Sequence, residues 1–140
     1  MTTGFQAHIA YDGEILAPGQ AYFAPDNRHI LVGAGNRVVL VKGNSINELC
    51  PSVAQLFKSA AEVWNRQAIG VLLTGMGADG AEELKIMREK GAVTVAQDEE
   101  SCVIFGMPGR AIKLGAAQYI LDPNGIARLL SYLVQPEDRK

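Results

Sequence analysis

The second half of the chain alternates between helical and strand patterns, and this alternation restricts the fold more than any other feature. Apolar residues at spacings of three and four from Val53 to Trp64 predict an amphipathic helix, with Pro51 in its first turn. The apolar run at residues 69–74 has the length of a strand and predicts one buried on both faces. Further helices are predicted at 80–90 and 108–114 and after Asp122-Pro123, with strands at 92–96 and 119–121. Such alternation predicts an α/β fold with a doubly wound, mostly parallel sheet, and we expect one domain over residues 1–140.

The first half of the chain has a different pattern, of short extended segments separated by turn residues. The segments cover residues 6–10, 20–24, 29–32 and 37–42. Asp12-Gly13 and the Gly33–Gly35 stretch lie between them, and such pairs favour tight turns between antiparallel strands. We therefore predict an antiparallel hairpin region in the N-terminal half.

A glycine-rich turn follows the buried strand at 69–74 and leads directly into a helix. Gly75, Gly77 and Gly80 match G-x-G-x-x-G, and Asp98 follows at about the spacing of a dinucleotide-binding fingerprint. However, the Asp79 carboxylate would face a pyrophosphate at the helix start that should bind it. Too little chain follows Asp98 for the second half of a dinucleotide-binding fold. Dinucleotide binding therefore stays as one alternative for this turn.

Asp79 also has a purely structural interpretation. Asp79 and Glu82 have the spacing of a capping box, with Asp79 as the N-cap of the helix that follows. Taken from the residues alone, capping accounts for Asp79 without any catalysis. A carboxylate held in one direction by helix amides is nevertheless also suited to orient a catalytic histidine.

Composition and charge argue against several classes of function. Of the 140 residues 48% are hydrophobic and 20% charged, the formal net charge is −2, and the basic residues are scattered, which argues against a nucleic-acid partner. No apolar run is long enough to cross a membrane, and the first residues do not form a signal peptide. Cys50 and Cys102 cannot form a disulfide framework, and no Cys/His cluster predicts a metal site. We expect a cytoplasmic protein that holds neither a metal nor a cofactor.

Two longer segments resemble one known family. T-G-M-G-A-D-G at 74–80 and A-Q-D-E-E-S-C-V-I-F-G-M-P at 96–108, with G-A-V-T-V between them, are similar to the signatures of the chemotaxis receptor methylesterase (CheB) catalytic domain. P-G-Q-A-Y-F-A-P at 18–25, His29, P-S-V at 51–53 and Leu56-Phe57 also resemble that family. The similarity extends from about Phe5 to Leu130 and corresponds to the C-terminal portion of the catalytic domain.

The resemblance implies a reaction and some of the residues for it. Family members hydrolyse γ-glutamyl methyl esters of chemoreceptors, and many deamidate receptor glutamines, through a Ser-His-Asp triad. By resemblance Asp79 is the triad aspartate, and the Met76 backbone amide contributes to the oxyanion hole. The family's nucleophilic serine and its histidine precede the matched region. The chain also departs from the family at Leu49-Cys50, where a basic or polar pair is usual, and at Ala54, where an acid is usual.

No other residue is an evident substitute for the missing nucleophile or base. None of the serines lies in a G-x-S-x-G turn; they are Ser45, Ser52, Ser59, Ser101 and Ser131. His8 and His29 both fall in the hairpin half, and nothing in the sequence places either beside Asp79. The chain on its own is therefore expected to be inactive.

Three hypotheses follow from the sequence. The first is a methylesterase-like domain that does not catalyse on its own, with a methyl-accepting chemoreceptor as partner. The second is one piece of an active methylesterase that another chain completes. The third is the dinucleotide-binding domain. Under the first two, an open sheet edge is expected to pair with a second copy or with a complementary chain.

Overall fold

The computed structural model describes residues 5–43 and 49–134. Its strands are β1 (Gln6–Ile9), β2 (Gln20–Phe23), β3 (Arg28–Gly33), β4 (Arg37–Lys42), β5 (Ile69–Leu72), β6 (Val93–Gln97) and β7 (Tyr119–Leu121). Its helices are α1 (Val53–Trp64), α2 (Ala81–Glu89), α3 (Met107–Lys113) and α4 (Pro123–Leu133), and a single 3-10 turn covers Asn65–Gln67. The predicted alternation of helices and strands is confirmed, with boundaries that shift by one or two residues at most elements. Ser45 lies outside the described residues.

A parallel sheet forms the centre of the C-terminal half. Its strand order is β5-β6-β7, and both strand pairs are parallel. The central strand β6 is almost completely buried, as expected of a parallel strand covered on both faces. This arrangement brings the carboxyl ends of the three strands to one edge, which is where open α/β sheets place ligands and catalytic groups.

Helix α2 packs very closely on β5 because β5 has a glycine at the contact. A Cβ atom at Gly70 would lie 2.7 Å from Leu84 Cδ1 and 2.9 Å from Met87 Sδ. Leu84 and Met87 are the buried face of α2 and belong to the main core, which also includes Phe57, Leu72 and several alanines. Small residues at these positions let helix and strand approach each other without a cavity.

The hairpin predicted around Gly33–Gly35 is confirmed. Strands β3 and β4 pair antiparallel, from Arg28 opposite Lys42 to Gly33 opposite Arg37. Helix α1 packs on β3, where the Ser59 hydroxyl accepts a hydrogen bond from Val32 N at 2.9 Å. The hairpin is thereby joined to the helix that leads into the parallel sheet.

The pairing of the first two strands differs from the prediction, because β1 and β2 are parallel. The Asp12-Gly13 turn directs the chain onto β4 instead of back along β1. Gly13 N donates to Val38 O at 2.8 Å, and Ile15 forms an antiparallel bridge with Arg37. The position of the turn was therefore predicted correctly, but the predicted hairpin between β1 and β2 was wrong. The segment after the turn pairs with β4, which comes later in the chain.

Helix starts follow the sequence signals in part. Asp122 is the N-cap of α4 and accepts a hydrogen bond from Gly125 N at 2.8 Å, as Asp122-Pro123 predicted. Pro51 was predicted in the first turn of α1 but precedes it, since the N-cap is Ser52. None of the described helices is long and apolar enough to cross a membrane.

Candidate active site

The two segments that carry the sequence resemblance meet at the carboxyl end of β5. Gly75 N donates to Ile104 O at 3.0 Å, and Gly75 O accepts from Gly106 N and Met107 N, also at 3.0 Å. A Cβ atom at Gly106 would lie 2.7 Å from Gly77 N, so only glycine permits this contact. Residues far apart in sequence thus form one hydrogen-bonded double turn at the edge of the sheet.

The Thr74 side chain completes the connection between the two turns. Its hydroxyl donates to Ile104 O at 3.0 Å and accepts from Ile104 N at 2.9 Å. Its backbone amide donates to Gln97 Oε1 at 2.8 Å, at the end of β6. Thr74, two residues after β5, and Gln97, the last residue of β6, therefore hold the glycine turn in place.

Asp79 does not cap the helix that follows it, contrary to the capping-box prediction. The N-cap of α2 is Gly80, which has a left-handed backbone (φ 87°) and makes no side-chain capping bond. The Asp79 carboxylate instead caps α1: Oδ2 accepts from Val53 N at 2.6 Å and Oδ1 from Ala54 N at 3.2 Å. Oδ1 also accepts from the Ser52 hydroxyl at 2.9 Å. The first amides of α1 and its positive dipole end thus hold an anion supplied by another element.

Gly80 allows the two helix starts to come this close. A Cβ atom at position 80 would lie 2.6 Å from Val53 Cγ1. The positive φ angle turns the chain between Asp79 and α2, and it is a conformation that glycine adopts without cost. Both the backbone conformation and the close packing against α1 therefore require glycine at position 80.

Met76 lies at the outermost point of the glycine turn. Its side chain is 77% exposed. Within the part of the chain that the structure describes, its backbone N–H donates no hydrogen bond. Leu73, Val103 and Ile104, in the chain segments next to the two turns, are also exposed. The turn therefore presents a backbone donor, and exposed apolar residues lie in the adjoining segments.

The histidines have partners other than Asp79. His8 pairs with Glu14, which is buried and also accepts a hydrogen bond from Tyr11 N. His29 is 2% exposed, and its Nδ1 accepts a hydrogen bond from Ser52 N at 3.1 Å. Ser52 therefore links His29 to Asp79 through two hydrogen bonds. The sequence did not indicate this connection.

Ser52 alone among the described serines contacts Asp79, yet its geometry is not that of a nucleophile. Its hydroxyl donates directly to the carboxylate, and its contact with His29 is made by the backbone. A triad serine instead donates to an imidazole that can take up its proton. Ser59 bonds to Leu56 O and Ser101 bonds to Asp98. The described residues thus contain no Ser-His-Asp triad.

The family follows from comparison with known proteins. The family model of the CheB methylesterase matches residues 1–130. The chain belongs to the CheB methylesterase family. The motifs that indicated this resemblance are the ones that meet at the site.

Relatives among curated proteins are named as methylesterases. The chain is 51% identical over 134 residues to protein-glutamate methylesterase/protein-glutamine glutaminase 4 of Geobacter metallireducens, covering 95% of this chain and 39% of that protein. It is 49% identical over 126 residues to the corresponding protein 1 of Syntrophus aciditrophicus, covering 90% of this chain and 36% of that protein. The chain therefore spans between a third and two fifths of the length of these relatives.

A solved structure has the same fold. The CheB methylesterase catalytic domain of Thermotoga maritima matches with a TM-score of 0.84 and 38% identity. The match covers 89% of this chain and 68% of that domain. This confirms the α/β fold class.

The glycine turn of this CheB family member is poorly arranged to bind a dinucleotide. The backbone of Gly75 is bonded to the neighbouring turn, and the first amides of α1 bind the Asp79 carboxylate. No group of three or more metal-binding side chains occurs among residues 5–43 and 49–134. The observed contacts give no support to the dinucleotide hypothesis.

Cys102 is the one residue near the CheB motifs whose titration is clearly shifted. Removal of water around the thiol raises the pKa of Cys102, and the negative charges of Asp98 and Glu99 raise it further. A hydrogen bond with Thr74 acts in the opposite direction. Because the thiolate is the reactive form, this cysteine is a poor nucleophile at neutral pH.

Proposed function

We propose that this chain forms the aspartate side of a protein-glutamate methylesterase and glutaminase site, and that it does not catalyse without a serine and a histidine from elsewhere. The observation that carries the proposal is the Asp79 carboxylate, held by three donors beside the glycine turn. Relatives that share 49–51% identity have this activity in their names. The departure at Ala54 does not affect the holding of Asp79, since Ala54 contributes only its backbone amide to it.

In this proposal each residue has a defined part in the reaction. A serine attacks the γ-carbonyl of the ester or amide, and a histidine takes up the hydroxyl proton and passes it to the leaving methanol or ammonia. Asp79 orients that histidine and stabilises its charged form. The Met76 amide donates to the oxyanion of the tetrahedral intermediate. Water then hydrolyses the acyl-enzyme by the same proton transfers.

We propose that the protein substrate is a methyl-accepting chemoreceptor and that this chain acts on it from the cytoplasm. The exposed Met76, and the exposed Leu73 and Val103 in the adjoining segments, support contact with a protein surface, because exposed apolar side chains near a site favour binding. Two free cysteines are consistent with a reducing compartment.

A first experiment measures methanol release from methylated chemoreceptor membranes by the chain alone, with Asp79→Ala in parallel. We expect no release from either protein. Release that disappears in Asp79→Ala would mean that this chain already has a nucleophile and a base, and the non-catalytic part of the proposal would be wrong.

A second experiment tests the role of Asp79 itself. The part of the Geobacter metallireducens relative that precedes the matched region is fused in front of this chain. We expect the fusion to release methanol, and Asp79→Asn to lower kcat by about 10⁴-fold, as for a triad aspartate. Asp98→Asn is the matched control, because Asp98 lies in the adjacent loop and bonds to Ser101. Equal activity of the two variants would exclude Asp79 from the triad.

A second candidate is that a separate chain provides the missing residues. It is favoured by β5, which among the described residues pairs on one side only. Mixing this chain with the purified leading part of the relative tests it: restored methanol release supports completion in trans. Activity only in the covalent fusion argues against it.

A further inference from the structure

The start of helix α1 is capped in an unusual way. Ser52 has the extended backbone of an N-cap (φ −110°, ψ 131°) but makes no capping bond to its own helix. An N-cap serine normally accepts a hydrogen bond from an amide of the first turn with its hydroxyl oxygen. Here the Asp79 carboxylate accepts the hydrogen bonds from the first turn, and the Ser52 hydroxyl donates a hydrogen bond to Asp79. The serine is thus used to hold the aspartate and not the helix.

The donors are distributed unequally over the two carboxylate oxygens of Asp79. Oδ1 accepts from Ser52 Oγ and Ala54 N, whereas Oδ2 accepts from Val53 N alone. A carboxylate oxygen has about two acceptor positions. Those of Oδ1 are filled, and Oδ2 retains one. An imidazole N–H that binds Asp79 would therefore bind Oδ2.

His29 fixes the other side of Ser52. It lies on β3, is almost completely buried, and its Nδ1 accepts from Ser52 N. Because Nδ1 is the acceptor, neutral His29 has its proton on Nε2. The backbone of Ser52 is thereby attached to the β3–β4 hairpin, while its side chain points to Asp79.

We propose that Ser52 and His29 are positioning residues for the catalytic aspartate: His29 fixes the Ser52 backbone, and the Ser52 hydroxyl occupies Asp79 Oδ1 so that Oδ2 faces the histidine. This inference rests on the proposed function of Asp79. Neither residue touches the substrate, and both act by restricting the direction of one carboxylate.

Nuclear magnetic resonance of the full chain tests the geometry without any activity. The measurement is the scalar coupling from Val53 N, across its hydrogen bond, to the Asp79 carboxyl carbon, with the amide proton shifts of Val53 and Ala54. We expect Ser52→Ala to lose the coupling, because the carboxylate can then rotate. Ser52→Thr should retain the coupling, since threonine keeps the hydroxyl and favours an extended backbone.

The matched control is Ser59→Ala in the same helix. Ser59 is buried and bonds to Val32 N and Leu56 O, so this variant loses stability without a change at Asp79. We expect its Val53 coupling to equal that of the unmodified chain. A Ser52→Ala protein that keeps the coupling, or a Ser59→Ala protein that loses it equally, would overturn the positioning role.

A kinetic measurement in the fusion protein separates this inference from the proposed function. We expect Ser52→Ala to lower kcat by up to about a hundredfold, with KM unchanged and with activity retained in Ser52→Thr. If Asp79→Asn abolishes activity while Ser52→Ala does not affect it, positioning fails and the proposed function stands. If Asp79→Asn has no effect, the proposed function fails, whatever the coupling shows.

Discussion

Gly77 and Gly80 lie in the same turn and differ in what surrounds them. Both have a positive φ, 84° and 87°. A Cβ atom at Gly77 would meet no atom within 4 Å, whereas one at Gly80 would lie 2.6 Å from Val53 Cγ1. The pair therefore separates the cost of backbone conformation from the cost of a steric contact.

We expect Gly77→Ala to lower the free energy of unfolding by about 1–2 kcal/mol, the cost of a left-handed residue with a side chain. Gly80→Ala should cost roughly 1–3 kcal/mol more, because the new methyl group pushes against the start of α1. Urea unfolding of both variants measures the difference. Equal losses would mean that Val53 moves freely and that α1 is not fixed at this point.

The reactivity of Cys102 provides a second test at the level of one residue. Burial and the charges of Asp98 and Glu99 raise its pKa, and only the thiolate is alkylated. The rate of alkylation by iodoacetamide should therefore reach half its maximum at a pH above the value of about 8.5 for an unperturbed cysteine. Replacing both acids, Asp98→Asn with Glu99→Gln, should lower that pH. A midpoint that does not respond would show that these charges do not act on the thiol.

Local sequence predicted that Asp79 caps a helix, but the helix it predicted was the wrong one. Its spacing to Glu82 fits a capping box, and Gly80 prevents it by adopting a left-handed conformation. The carboxylate then meets α1, whose position depends on packing against β3 and α2. Contacts that depend on the approach of distant elements cannot be derived from local spacing. The same reason explains why His29 was not connected with the site.

At the scale of elements, a buried threonine joins β6 to the segment that precedes β7. Thr94 on β6 is fully buried, and its hydroxyl donates to Ala116 O at 2.6 Å and accepts from Gln118 N at 3.1 Å. These bonds hold the segment that leads into β7. The bond to Ala116 O pairs the buried hydroxyl with a carbonyl, as buried polar groups require, while Gln118 N also donates to Thr94 O at 2.9 Å.

We expect Thr94→Val to lower the free energy of unfolding by about 1–3 kcal/mol, since the shape is kept and the carbonyl of Ala116 loses its donor. Thermal unfolding measures the loss. The control is Thr94→Ser, which keeps the hydroxyl and loses the methyl group. If Thr94→Ser loses stability while Thr94→Val keeps that of the unmodified chain, packing of the methyl group is the main contribution and the hydrogen bonds are not.

The elements themselves were more predictable than their pairing. Apolar periodicity located α1, apolar runs located the strands of the parallel sheet, and the Asp122-Pro123 signal located α4, because burial and helix starts each leave a local pattern. The direction of β1 relative to β2 was wrong, because a turn signal fixes where the chain bends and not which strand it meets. Residues after Asp12-Gly13 pair with β4, a partner more than twenty residues away.

At the scale of the whole molecule, two surfaces are suited to pairing with another chain: one is an open strand edge and the other an exposed apolar strand pair. Strand β5 pairs with β6 and, among the described residues, with no strand on its other side. The β1–β2 pair has Ile9 and Phe23 opposite each other, and these side chains are 65% and 58% exposed. Open edges and exposed apolar faces favour pairing with another chain.

We therefore expect the chain to associate at micromolar concentration, with a mass by light scattering that rises with concentration. Ile9→Lys should reduce this association, because a charge on the β1–β2 face opposes its burial. Tyr132→Lys is the control, since Tyr132 is equally exposed but lies on α4. A compact monomer at all concentrations would contradict the expectation. The leading part of a relative can then be added to the associated chain. If it suppresses the association and restores methanol release, the same surface serves self-association and completion of the active site.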